Sequence, residues 1–158
     1  MAAETLLAAG QAVQVFDAMP TAGRKFLLAG IGGLNLTHSE AFEAFIGRYA
    51  ERAAALEPWL RAFDADALRA WAAGLGVQTF VGSSGRVFPA EMKAAPLLRA
   101  WLQRLRSQGA LFHQRQRWLG FADGAGDAGT ALRFATPQGE ALVQPRATVL
   151  ALGGASWP

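Results

Sequence analysis

At 158 residues the chain is long enough for one domain with a proper core, and its balance of 52% apolar to 17% charged residues excludes disorder as the main state. With no cysteine, disulfide staples, thiolate metal sites, a cysteine nucleophile and dithiol redox chemistry are excluded. The net charge of +3 and a pI near 10.2 raise nucleic-acid binding, yet the fifteen cations are scattered, and a solvated basic face accounts for them.

His38 and His113 are isolated in sequence, without ligand partners at metal-site spacing. No apolar run reaches the ~20 residues of a membrane span. Glu4 stands where a secretion signal carries basic residues, so a cytoplasmic location is expected.

Residues 1–9 (MAAETLLAA) favour a helix stopped by Gly10, and 12–16 (AVQVF) read as a strand ending at Asp17. Two helical turns are marginal on their own and normally follow a strand, so the chain is expected to open in mid-element. A glycine-rich stretch follows, GRKFLLAGIGGLN, with glycines at 23, 30, 32 and 33. Thr37-His38-Ser39-Glu40 has the capping-box form, which predicts a helix bearing Phe42, Phe45, Ile46 and Tyr49.

Pro58 is expected to break that run. Asp64 or Asp66 then caps a second helix, with Leu68, Trp71 and Leu75, ended by Gly74 and Gly76. Together these make a helical excursion over about 38–76. VQTFV at 77–81 reads as a short strand entering the turn GSSGR, after which Val87-Phe88-Pro89 leads towards a helix at about 94–108. ALFH at 110–113 is a strand candidate, the helix-to-strand return of a parallel α/β unit. Segments at 115–121, 131–136 and 140–145 read as a three-stranded β-meander within about 115–146. ATVLALGG at 147–154 is predicted as an apolar strand of a sheet covered on both faces.

The helix–glycine–strand–Asp17 unit has the form of the second half of a dinucleotide-binding βαβ, in which an acid ending the second strand holds a ribose hydroxyl. A strand-ending acid alone is weak support. Gly30-Ile31-Gly32-Gly33 fails the phosphate-loop spacing, since Asn35 stands where a glycine or alanine is wanted, and no Lys-Ser pair follows. Its small residues admit either a flat ligand or a plain tight turn. Gly82-Ser83-Ser84-Gly85-Arg86 is no nucleophile elbow, because Arg86 occupies the glycine position after Ser84; Arg86 is left to meet an anion or carboxylate. Trp101, Trp118 and Phe121 read as core or edge packing before stacking platforms. Gly153-Gly154 follows an apolar strand at the edge where α/β sheets bind ligands, and Asp17 belongs to the same edge.

Three motifs in order, GRKFLLAGIGGLNLTHSE, SSGRVFPAEMKAAPLLRAWL and VLALGGASWP, resemble the bacterial YhiN/BaiN-like flavoprotein family across essentially all 158 residues. The resemblance implies an α/β fold, a partial glutathione-reductase-like Rossmann FAD-binding domain with a β-meander and a helical excursion, and an FAD-dependent oxidoreductase with NAD(P)H as a possible electron donor. It implies that Asp17 takes the adenosine ribose and that Arg24 and Lys25 lie beside the cofactor. Gly32, Gly33, Asn35, Leu36 and Thr37 would wall the flavin, and the strand around Trp118 would pass near the adenine. Gly153 and Gly154 would close over the phosphates and ribityl chain, with Arg86 on the flavin or substrate side.

Gly33-Leu34 replaces the family's usual Arg-Cys before Asn35, and the lack of cysteine excludes disulfide-reductase chemistry. Family members begin with a strand and GxGxxG ahead of the position of Met1 and continue beyond Pro158 into a substrate domain. The chain by itself is therefore expected to bind FAD weakly or not at all, and to expose strand edges open to self-association. Other classes remain: a non-enzymatic interaction module completing its sheet with another chain, and a basic nucleic-acid module.

Overall fold

A computed structural model describes residues 1–122 and 131–153. In chain order its elements are α1 (Ala2–Ala8), β1 (Gln14–Asp17), α2 (Arg24–Ala29), β2 (Thr37–His38), α3 (Phe42–Gly47), a 3-10 turn (Ala50–Arg52), α4 (Ala53–Ala62), α5 (Ala65–Gly74), β3 (Thr79–Val81) and β4 (Arg86–Pro89). There follow α6 (Ala94–Ser107), β5 (Leu111–Gln114), β6 (Arg117–Phe121), β7 (Leu132–Thr136) and β8 (Gly139–Val143). The chain divides into two compact units, Met1–Ala22 with Leu105–Pro158, and Gly23–Arg104.

In the first unit β1 and β5 pair in parallel, from Gln14 opposite Leu111 to Asp17 opposite Gln114. This is the Rossmann-like pairing that the helix-to-strand return predicted. The entry to each strand is shaped by a glycine. The Gly10 N–H donates to the Leu7 carbonyl and the Gln11 N–H to that of Leu6, and Gly109 and Ala110 repeat the pattern on Arg106 and Leu105. Both glycines hold the left-handed backbone that this helix end requires, at φ +72° and +95°.

The Phe16 ring stacks between His113 (4.6 Å) and Phe134 (4.5 Å), tying β1, β5 and β7 together over buried Val13, Ala110, Leu132 and Phe134. β6, β7 and β8 form the expected antiparallel meander, with a register shift between Trp118 and Gly120. The strand expected at 147–154 is not formed over its described part. No described strand pairs with it, and Val149, Leu150 and Leu152 are 62%, 53% and 63% exposed. Apolar composition alone does not make a strand, because the ladder bonds come from a neighbour.

In the second unit β4 lies centrally between β2 and β3 in an antiparallel sheet. The sequence reading had no strand at 86–89 and ran that segment towards the next helix. Leu34, Ala72, Ala94 and Leu97 form the core, with Phe26, Leu36, Trp71, Leu75 and Val77 against it. Trp101 meets Trp71 edge-on at 5.1 Å and Phe26 at 6.4 Å, a packing role as read for Trp101 from the sequence.

Two local expectations are corrected here. Thr37 does not open a capping box: Thr37 and His38 pair with Val87 and Arg86, and α3 starts at Phe42 behind Ala41. The sheet ladder takes the residues that the local motif would have used. Pro58 does not break the helix but sits inside α4, where Arg61 bridges Glu57 across it at 2.7 Å and reaches Glu43 of α3 at 2.8 Å. Of the two carboxylates proposed as a cap, Asp64 is the one used, its Oδ1 accepting from the Ala67 N–H at 2.8 Å.

Candidate functional site

Asp17 is the last residue of β1 and half-buried. Its Oδ1 accepts from the Met19 N–H at 2.9 Å, folding the chain into a turn straight after the strand. That turn is stitched to the β5–β6 connection: the Gln116 N–H donates to the Asp17 carbonyl at 2.9 Å, and the Arg115 N–H to the Met19 carbonyl at 3.1 Å. The carboxylate is thus fixed by one oxygen, and its other oxygen carries no bond among the described residues.

Gln116 leads directly into β6. Two residues on, Trp118 lies edge-on to Phe121 at 5.4 Å, and its Nε1 is buried without a hydrogen-bond partner. A buried donor left unpaired costs about 1–3 kcal/mol, so it marks a place where an acceptor is wanted. Gly153 is exposed with φ +76°, and Gly154 lies outside the described residues.

The remaining candidates belong to the second unit. Arg24 and Lys25 open α2 and are exposed. Gly32 faces open space where a side chain would begin, whereas Gly33 is roofed by Met92, whose Cε lies 2.8 Å from the position of a Cβ. The Leu34 N–H donates to the Met92 carbonyl at 3.0 Å, and the Leu36 N–H to that of Val87 at 2.8 Å. These bonds and the β2–β4 ladder bring Gly33, Leu34, Asn35, Leu36 and Thr37 alongside the strand that begins at Arg86. Arg86 is exposed on that strand, opposite His38.

His38 and Met92 are the residues the sequence reading missed. His38 Nε2 donates to the Ser84 carbonyl at 3.0 Å, while Nδ1 accepts the Glu40 N–H at 3.2 Å, so the ring locks the β3–β4 turn onto β2. Only the second glycine of GSSGR hinted at this, since a Cβ on Gly85 would stand 2.6 Å from the imidazole Cε1. Met92 holds φ +60°, a conformation rare for a bulky residue, and no sequence signal pointed to it. His113 is also a structural residue, bonded to Gln14 at 2.9 Å and stacked on Phe16.

Over residues 1–158 the sequence matches the HI0933-like protein Rossmann domain. The chain belongs to that family. It is a family of Rossmann-type FAD-binding domains from flavin-associated oxidoreductases, the YhiN/BaiN-like group that the three motifs resemble. No curated protein matches the chain. Among solved structures the fold is similar to BexE, studied for oxidation during BE-7585A biosynthesis, at 18% identity and a TM-score of 0.48; the match covers 90% of this chain and 26% of that one.

The residues present suit the family's cofactor. Within the first unit an acid with a spare oxygen ends a parallel strand, and an unpaired donor is buried on the adjoining meander. No helix among the described residues is long and apolar enough to cross a membrane.

Proposed function

We propose that the chain is the FAD-holding part of an oxidoreductase that passes electrons through the flavin to or from a small substrate, with NAD(P)H as electron donor in the whole protein. The observation that carries this reading is Asp17. It closes a strand of a parallel pair, is oriented by the Met19 N–H, and keeps one carboxylate oxygen for a ribose hydroxyl. When bound, FAD supplies the electron-transfer chemistry, and the protein supplies position and electrostatics.

In this reading Asp17 holds the adenosine ribose, and the strand around Trp118 runs beside the adenine. Arg24 and Lys25 add positive charge for the pyrophosphate. Gly32, Gly33, Asn35, Leu36 and Thr37 wall the flavin, the small residues letting its flat ring approach the backbone. Gly153 and Gly154 close over the phosphates and ribityl chain, and Arg86 faces the substrate side, where its guanidinium suits a carboxylate.

The test is a titration followed by flavin fluorescence, on the chain and on a form carrying the GxGxxG strand and turn ahead of Met1. The extended form is expected to saturate with FAD, and Asp17→Ala to weaken it about tenfold or more. Titrations of wild type and Asp17→Ala that superimpose in both forms overturn the reading.

A second reading, an interaction module that completes its sheet with another chain, is favoured by the two-stranded β1–β5 sheet and the exposed Val149, Leu150 and Leu152. Dimerisation that rises with concentration and is lost on Leu150→Lys supports it; a monomer at all concentrations removes it.

A further inference from the structure

The polarity of α4 is inverted. Ala53, Leu56, Glu57 and Leu60 are its half-buried residues, and the helix packs on α3. Its only charged residues, Glu57 and Arg61, are engaged on that side. Arg61 bonds Glu57 at 2.7 Å and Glu43 of α3 at 2.8 Å, and its guanidinium lies 4.2 Å from the centre of the Phe42 ring. The remaining face, made of Ala54, Ala55, Pro58, Trp59 and Ala62, is exposed and carries no charge. A surface helix ordinarily turns its charges outwards, onto that face. Trp59 is 75% exposed here, and Phe63, four residues on, is exposed as well. Scattered apolar side chains on a surface need no explanation, but a contiguous face centred on a tryptophan marks a docking surface.

The face is complementary to itself. Trp59 projects from it, while Ala55 and Ala62, one turn before and one turn after, leave shallow places where another helix can come close. One surface therefore holds both a knob and the holes for it, which is what a two-fold axis between identical chains requires. Its ends carry opposite charges. Arg52, two turns before Trp59, is exposed and has no ion pair among the described residues. Asp66, seven residues after Trp59, has a side chain 92% exposed and meets Arg69 only at 3.9 Å. An antiparallel pairing lays the Arg52 end of each copy along the Asp66 end of the other. Glu51, the neighbour of Arg52, stands about a third of a turn round from this row.

We propose that the exposed face of α4 is a docking surface for a second copy of this chain, with two α4 helices packed antiparallel about a two-fold axis at Trp59. The inference concerns the unit Gly23–Arg104 alone and is independent of the cofactor reading. It is also distinct from sheet completion, which would use β1, β5 and the segment around Leu150. The size of the face sets the strength of the contact. Ten helical residues span about 15 Å, so two such faces cover less than the ~1,200 Å² of a standard interface. The dimer is therefore weak, with Kd on the order of 10–500 μM.

Sedimentation of the chain from about 10 μM to about 1 mM tests this, with the average mass expected to climb from monomer towards dimer. Trp59→Glu should weaken the association at least about tenfold, whereas Leu150→Lys leaves it unchanged. Because the side chain is exposed, Trp59→Glu should leave the melting temperature of the dilute chain within a few degrees of wild type. Arg52→Glu should weaken the dimer, and adding Asp66→Arg should restore it. As the chain has no cysteine, Ala54→Cys carries a single nitroxide at the rim of the face; a distance between copies of about 15–25 Å is expected, and it should vanish on dilution.

A chain that stays monomeric at about 1 mM overturns the proposal, whether the face then takes up phosphatidylcholine vesicles, a different protein or nothing. A dimer indifferent to Trp59→Glu, or one that is lost with Leu150→Lys, overturns it too, and so does a dimer without the short distance at Ala54→Cys. Failure of Asp66→Arg to rescue Arg52→Glu overturns the antiparallel two-fold.

Discussion

Replacing Gly85 by alanine tests how the β3–β4 turn is held against β2. Gly85 has φ +78°, and a Cβ there would stand 2.6 Å from Cε1 and 2.7 Å from Nε2 of His38. The left-handed backbone alone costs alanine roughly 1–2 kcal/mol. The contact adds to this, because the imidazole has little freedom. Its Nε2 bond to the Ser84 carbonyl and the Glu40 N–H bond to its Nδ1 fix it from both sides. Displacing the ring forfeits about 1 kcal/mol from two partly solvated bonds, for a total of about 2–3 kcal/mol. For a chain of this size that lowers the melting temperature by roughly 6–9 °C.

Gly10→Ala is the matched control, since Gly10 has φ +72° with nothing within 4 Å of its Cβ position and should show the backbone cost alone. Thermal unfolding of both variants, and of Gly85→Ala in a His38→Ala background, completes a double-mutant cycle. In that background the cost of Gly85→Ala should shrink to the Gly10→Ala value. Equal losses for Gly85→Ala and Gly10→Ala in the wild-type background would refute the argument that His38 makes this position glycine-only.

Gly30→Ala isolates the opposite case: its backbone is ordinary, but its Cβ would collide with that of Ala94, so overpacking should cost about 1–3 kcal/mol and Ala94→Gly should restore most of it in urea unfolding. Asp64→Ala removes the cap of α5 and is expected to lower stability by about 1 kcal/mol, or roughly 2–4 °C in melting temperature, while Asp66→Ala changes little. Glu140, held by the Arg133 guanidinium at 2.7 Å, has its pKa pulled below the ordinary carboxylate value. Its contribution is therefore present above the unfolded-state pKa and lost as pH falls through the lower folded value. Carboxyl NMR titration should show the depression and Arg133→Ala should abolish it.

What could be read locally was read correctly where the signal was covalent or conformational. Gly10 ends its helix in the structure as it does in the pattern, because the left-handed backbone it holds is one that glycine adopts without steric cost. Asp64 finds its own helix start through a bond three residues away. The helix expected at about 94–108 is α6, and the meander expected within about 115–146 is formed by β6, β7 and β8. The errors lie where a local motif had a distant competitor. Thr37 to Glu40 satisfies every requirement of a capping box, yet Val87 and Arg86, some fifty residues on, claim Thr37 and His38 for a ladder.

The same division holds at the candidate site. That an acid ends β1, that a glycine-rich stretch follows, and that the three motifs occur in the family's order are facts of the sequence. It thereby determined the family and the Rossmann class. The tertiary structure decided the rest. Asp17 is stitched to the strand leading to Trp118, Gly33 lies under Met92, and the apolar segment after residue 147 remains without a ladder. Each of these depends on what a residue far along the chain offers in return. Propensity is carried by single residues, but a hydrogen bond, a contact or an unpaired donor exists only between two places that folding has brought together.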